Sequence, residues 1–178
     1  MGSIDVFTQL RLVNKARMEE HIMSDQAVAC IEHLLASYCH AVDRGTPDEV
    51  ATLFAADAVL RPRFDGPYTV HGREAIRGWY AHYNAHFREG VRHLKHMISS
   101  VMIDVAGERA TAYCYLTGVF VSKSDGKGVS VFGSYTDIVT RVEGCWLFAD
   151  RLIEASFLAT GLTVVEEFPS LGYHDPGR

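Results

Sequence analysis

The chain has 178 residues, 48% of them apolar and 22% charged, which fits one globular domain large enough to enclose a core and a pocket. Its formal charge of -5 comes without any dense Lys/Arg run, so it lacks the cationic surface that holds nucleic-acid phosphates, and no nucleic-acid partner is expected. No stretch reaches the roughly 20 apolar residues of a membrane span, and the opening MGSIDVFTQLRLVNKARMEE has no apolar signal core, so a cytoplasmic protein without membrane association is predicted.

In chain order, residues 1–23 show no sustained period and are read as an N-terminal extension, either a short helix or a segment packed on a partner. From Ser24, a possible N-cap, Ile31, Leu34, Leu35, Tyr38, Cys39 and Val42 recur at the spacing of one helical face. Arg44-Gly45-Thr46-Pro47 ends that helix, and Pro47 opens a second, short one through Val50, Leu53 and Phe54. Ala58–Arg63 reads as a strand, Gly66-Pro67 as a turn, and Gly72 to about Phe87 as a helix carrying Ile76, Trp79 and Tyr80.

Beyond that the pattern changes to β-branched and aromatic runs at Leu94–Val105, Ala110–Val121, Val129–Arg141 and Cys145–Ile153, separated by short turn sequences. Three helices before a long meander predict an α+β domain whose helices cover one concave face of a curved antiparallel sheet. This domain is placed at 24–153. The tail, 154–178, carries Phe157, Leu158, Leu162, Val164, Val165 and Phe168, which a free tail would not keep in water, so it is expected to close a pocket mouth or pack on another subunit. The four cysteines form no CxxC pair, which predicts small buried thiols and not a disulfide framework or a zinc site.

Several strings resemble the SnoaL-like branch of the nuclear transport factor 2-like superfamily, over about residues 24 to 153. They are Tyr38-Cys-His-Ala-Val-Asp43-Arg-Gly, Leu53-Phe54-Ala-Ala-Asp57, Val70-His-Gly72-Arg-Glu-Ala-Ile76, His96-Met-Ile-Ser-Ser100, Gly133-Ser-Tyr135-Thr-Asp137 and Gly144-Cys-Trp146-Leu-Phe-Ala-Asp-Arg151. The resemblance implies a cone-shaped fold and a cofactor-independent enzyme, although cones of this type host many chemistries and some non-enzymatic subunits. In dehydratase-like members a Tyr and an Asp of the first helix meet a His of the first long strand, and those positions match Tyr38, Asp43 and His96. The Asn usual four residues after that His is Ser100 here.

The residues support a catalytic reading on their own terms. Asp43 lies at the edge of the apolar stripe, near Cys39, where a carboxylate needs a partner. If His96 points into the cone, alternation sends Ile98 and Ser100 the same way, and Lys95 and Met97 to the other face. An Asp–His pair would fix the imidazole tautomer and let His96 take a proton from carbon beside a carbonyl, with Tyr38 donating to the enolate or to a leaving hydroxyl. Arg151, Tyr115, Tyr135 and Ser100 are the candidate substrate-binding residues. Bland alternatives stand beside each: a solvated or capping Asp43, a core His96, a core Tyr38 and a surface Arg151. His82, His86, His93 and His96 have spacing that can hold zinc, but without an HExxH glutamate, and no metal is expected. The Gly-rich Ser124–Gly128 segment is read as a hairpin turn and not a phosphate loop.

The expected activity is that of a dehydratase acting on a hydrophobic cyclic substrate such as a polyketide, terpenoid or steroid. An isomerase or cyclase using the same pair, and a non-catalytic ligand carrier or small oxygenase subunit, are the alternatives. Expected partners are the small substrate and further copies of the chain, as a dimer or trimer.

Overall fold

The computed structural model describes residues 6–164. Its first element is a single helix, α1 (Val6–Arg44), 39 residues long. The helix therefore does not start at Ser24: nothing between positions 6 and 44 is Gly or Pro, so no residue breaks it and Ser24 is an interior position. The predicted stripe is its buried face, with Ile31 and Leu35 fully buried and Tyr38, Cys39 and Val42 nearly so. A capping box at Thr46 and Glu49, with Pro47 at the first position, starts α2 (Pro47–Thr52). Phe54, expected in that helix, instead opens strand β1 (Phe54–Pro62).

β2 (Val70–His71), α3 (Arg73–His86), a 3-10 turn at Arg88–Gly90, and the long strands β3 (Val91–Ala106), β4 (Arg109–Ser122), β5 (Gly128–Val142) and β6 (Cys145–Leu162) complete the fold. The strand order is β2-β1-β6-β5-β4-β3. The meander β3 to β6 is antiparallel, as expected, but β1 runs parallel to β6, with Leu60 beside Arg151. An all-antiparallel sheet was predicted because four strands follow one another through hairpins. β1 precedes α3, and that crossover returns it to the far edge of the meander in the parallel sense. β6 also continues through Leu162, so Phe157 and Leu158 are strand residues, while positions 165–178 of the expected tail lie outside the described residues.

Kinks at defined points curve the sheet. β3 has register shifts at Arg92/Lys95 and Ser99/Met102, next to His93 and Ser100, both with positive φ, the signature of bulges that bend a strand. β5 and β6 press together at Gly133, where an added Cβ would sit 2.0 Å from the Glu154 carbonyl oxygen, so only glycine permits that approach. α1 packs against β3, and α3 against β1 and α2, so that among the described residues the helices cover one face of the sheet and no element packs on the other.

Cys39 and Cys114 are buried as expected, Cys30 and Cys145 are exposed, and all four are free thiols. Among the described residues no helix is long and apolar enough to cross a membrane.

Candidate active site

The end of α1 and the middle of β3 deliver an acid and an imidazole to one point. Asp43 Oδ1 lies 2.6 Å from His96 Nδ1. The same carboxylate accepts the backbone N–H of His96, at 3.1 Å to Oδ1 and 3.2 Å to Oδ2. Asp43 thus grips both the ring and the main chain of its partner, so the pair's geometry does not depend on one rotatable contact. The side chains are 6% and 13% exposed respectively. Because the carboxylate can only accept, the hydrogen on the ring belongs on Nδ1, and Nε2 keeps its lone pair. Arg88 steadies the helix end by donating to the carbonyls of Gly45 at 2.6 Å and Val42 at 3.3 Å, the last-turn acceptors that α1 cannot satisfy itself.

On the sheet, His96 stands opposite Gly118, which stands opposite Val131, which stands opposite Leu158. A Cβ added at Gly118 would lie 3.8 Å from His96 Cδ2, 4.0 Å from Nε2 and 3.7 Å from the Val131 Cβ, so these residues share the helix-covered face and the missing methyl leaves room beside Nε2. Leu158 is 61% exposed, and the cone is therefore open at this end. The next row on this face, Phe120 opposite Val129, lines a cleft of about 400 Å³ together with Leu162 and Val164. Sequence reasoning missed Gly118, Val131 and Leu158. The first was legible only as a glycine interrupting a β-branched strand, a sign of close approach.

A second cluster fills the closed end. Arg151 is fully buried, and its guanidinium carbon lies 3.6 Å from the ring centre of Tyr38, 4.0 Å from that of Tyr135 and 4.2 Å from that of Phe148. Asp137 is its charge partner, 3.6 Å away at Nε. Neither the carboxylate oxygens nor any guanidinium nitrogen makes a hydrogen bond within the protein. Burial pushes the Asp137 carboxyl up to about 7 in spite of the nearby arginine. Burial alone would lower the Arg151 pKa, but Asp137 and the surrounding phenols raise it. Tyr38 bonds Tyr80, hydroxyl to hydroxyl, at 2.5 Å, and burial raises its phenol to about 12. Arg151 is thus neither on the surface nor at the imidazole.

The predicted site residues therefore separate. Asp43 and His96 form one pair, and Tyr38, Tyr135 and Arg151 form another group. Tyr115 and Ser100 join neither. Tyr115 is 53% exposed because the buried β4 positions are Ala112, Cys114 and Leu116, which turns the odd-numbered tyrosine to the bare face. Ser100 is exposed at the second β3 bulge, after which Val101, Ile103 and Val105 take the inward positions. Simple alternation from His96, which put Ser100 on the inner face, fails at that extra residue. Tyr83 of α3 was not singled out from the sequence. Burial, then the Tyr38 phenol and the Asp43 charge, raise its pKa, and Arg88 opposes them; its ring packs on those of Trp79, Tyr80 and Phe87. Its signal was the spacing Ile76, Tyr80, Tyr83 along one helical face.

His82 and His86 stack at 3.9 Å between ring centres on α3. Among the described residues no group of three or more His, Cys, Asp or Glu side chains is placed to hold a metal ion.

Residues 25–151 match the SnoaL-like domain. The chain belongs to that family. Solved structures share its fold. One is a protein of Novosphingobium aromaticivorans provisionally described as an aromatic ring hydroxylase, 27% identical over 75% of this chain and 92% of that one, with a TM-score of 0.63. Another from the same organism, provisionally described as a scytalone dehydratase, is 21% identical over 85% and 97%, with a TM-score of 0.67. A hexachlorocyclohexane dehydrochlorinase, LinA type 2, is 15% identical over 86% and 99%, with a TM-score of 0.70. The last two likenesses are of fold. No curated protein matches the chain.

Proposed function

We propose that this SnoaL-like protein is a cofactor-independent lyase, a dehydratase that eliminates water from a hydrophobic cyclic hydroxy-ketone, with Asp43 and His96 as its acid-base pair. The observation that carries the reading is the Asp43 carboxylate bonded to His96 Nδ1 at 2.6 Å, beside a glycine that leaves the Nε2 side open. In this mechanism Nε2 takes a proton from the carbon next to the substrate carbonyl, and the C–H electron pair moves onto the carbonyl oxygen as an enolate. The enolate then re-forms the carbonyl, a C=C bond forms, and the β-hydroxyl leaves with the proton now on Nε2, as water. Asp43 stays ionised and stabilises the transient imidazolium.

Tyr38 is engaged by Tyr80 and stacks on Arg151, and it orders the closed end against which an apolar ring would rest. The apolar wall of Val131, Leu158, Phe120 and Val129 suits a carbocyclic substrate. An isomerase would return the same proton to a different atom.

The test incubates the protein in D2O with scytalone, hexachlorocyclohexane and a series of cyclic β-hydroxy-ketones, following loss of the C–H signal and appearance of the alkene by NMR. Turnover or hydrogen exchange of at least one substrate, falling on the order of 10²–10⁴-fold in His96→Ala, is expected. Exchange that persists unchanged in His96→Ala refutes the assignment.

A further inference from the structure

Of the four histidines whose spacing in the chain suits a metal, the fold carries His93 and His96 away on β3 and leaves His82 and His86 together on α3. Positions four apart lie on one face of a helix, one turn above the other. The two rings stack with their centres 3.9 Å apart and their planes inclined at 21°. Both side chains are exposed, whereas the core positions of α3 are Ile76 and Tyr80, so the pair looks outward and away from the hollow. The glutamate missing from the HExxH pattern serves as a catalytic base and not as a ligand. Its absence therefore bears on hydrolysis and leaves binding untouched.

Two observations bear on what the pair can hold. A tetrahedral ion with metal–nitrogen bonds of roughly 2.0 Å keeps two imidazole nitrogens about 3.3 Å apart, close to the separation at which these rings already stand. His86 Nδ1 lies 2.9 Å from the His82 carbonyl oxygen. A carbonyl only accepts, so Nδ1 carries the hydrogen and Nε2 keeps its lone pair. Metal-bound histidines are oriented in this way, one ring nitrogen donating to a backbone carbonyl and the other on the ion. The stacking thus supplies the spacing, and the carbonyl bond supplies the tautomer. His86 is also the last residue of α3, where the partial negative charge of a helix end favours a cation.

We propose that His82 and His86 form a two-histidine site for a transition-metal cation of the Zn2+, Ni2+ and Cu2+ class, held through both Nε2 atoms on the outer face of α3. Neutral imidazole suits these ions, whereas Mg2+ and Ca2+ call for oxygen ligands. Among the described residues no third His, Cys, Asp or Glu joins the pair, so water completes the coordination sphere. Two protein ligands fall short of the four that close a structural zinc site, and the ion is therefore exchangeable. Because the ligands can share it only while their turn is helical, occupancy clamps the last turn of α3. The site takes no part in the reaction proposed above.

Titration of the untagged full chain with Ni2+ tests it, read by calorimetry and by 1H NMR, in a Cys30→Ser/Cys145→Ser background that removes the two exposed thiols. Saturable binding is expected, and paramagnetic Ni2+ should broaden the ring signals of His82 and His86 before those of any other histidine. His82→Ala and His86→Ala should each raise the dissociation constant at least about tenfold, because a single imidazole loses the benefit of the tethered second ligand. A relocated pair supplies the converse. Gly78 lies one turn before His82, and a Cβ there would meet nothing within 4 Å. Gly78→His combined with His86→Ala rebuilds the spacing and should return the constant to within about threefold of the parent. Histidine is a better helix former than glycine and the positions are exposed, so the circular dichroism of each variant should match the parent. The single alanine variants decide the matter if the rebuilt pair fails to fold. No saturable binding, an equal response to Mg2+, first broadening at other histidines, alanine variants that bind as the parent does, or a folded rebuilt pair no tighter than His86→Ala overturns the proposal.

Discussion

Replacing Asp43 by Asn keeps the shape of the side chain and removes what the imidazole needs from it. In the native pair one carboxylate takes three contacts, two from the backbone N–H and one from the ring. Asn can keep its oxygen on Nδ1, but its amide nitrogen then faces the His96 N–H at the position where Oδ2 now accepts at 3.2 Å, donor against donor. If the amide turns over, its NH2 faces Nδ1, and the ring must carry its hydrogen on Nε2, where it can no longer accept a proton from carbon. Losing a charge-assisted hydrogen bond to the imidazolium costs about 1.5–3 kcal/mol. At 1.36 kcal/mol per tenfold this is a slowing of roughly 10- to 150-fold in proton abstraction, before any loss through the wrong tautomer. Two assays read it: the D2O exchange rate, and long-range 1H–15N spectra of labelled protein, which report the ring nitrogen carrying the hydrogen without any substrate. The parent should show it on Nδ1, and Asp43→Asn should shift or mix the two forms. An unchanged tautomer together with an unchanged exchange rate would refute the account of the pair.

Gly118→Val fills the space beside Nε2, since its first added carbon would lie 4.0 Å from that atom. Turnover should fall at least tenfold with little change in melting temperature, and measured parity with the parent would show that substrate approaches from elsewhere. Burial raises the Asp137 carboxyl from 3.8 to about 7, so between about pH 4 and 7 the folded chain holds a proton that the unfolded chain has released. The stability this group contributes is fully present below about pH 4 and declines as pH rises toward 7. Asp137→Asn removes the decline, and urea midpoints at pH 5 and pH 8 should differ less for the variant than for the parent. Equal differences would mean that the carboxyl titrates normally.

Much of this arrangement could be read in advance, for identifiable reasons. The buried stripe of α1 is a strong periodic signal, and Asp43 at its edge, with His96 in a β-rich run, made the pair readable once an inward His96 was assumed. Tyr135 and Tyr115 are both odd-numbered tyrosines on neighbouring strands, yet Tyr135 is paired with Cys114 and Tyr115 with Ser134. Which tyrosine faces the core is set by pairing register, which residue identity does not reveal. Ser100 was misplaced because a bulge at a non-glycine residue leaves no mark in composition. The parallel docking of β1 on β6 depends on where α3 carries the chain, a long-range outcome that local patterns do not contain. The burial of Arg151 was hidden because its three aromatic neighbours come from three separate elements.

The two kinks of β3, at His93 and Ser100, bracket the short regular stretch that holds His96, and they fix the phase of both sides of that strand together. Lose one residue from this stretch, and the imidazole would turn outward while a methionine or lysine took its place in the hollow. An insertion or deletion there would take the imidazole away from Asp43, so this part of the chain should tolerate changes of side chain far better than changes of length.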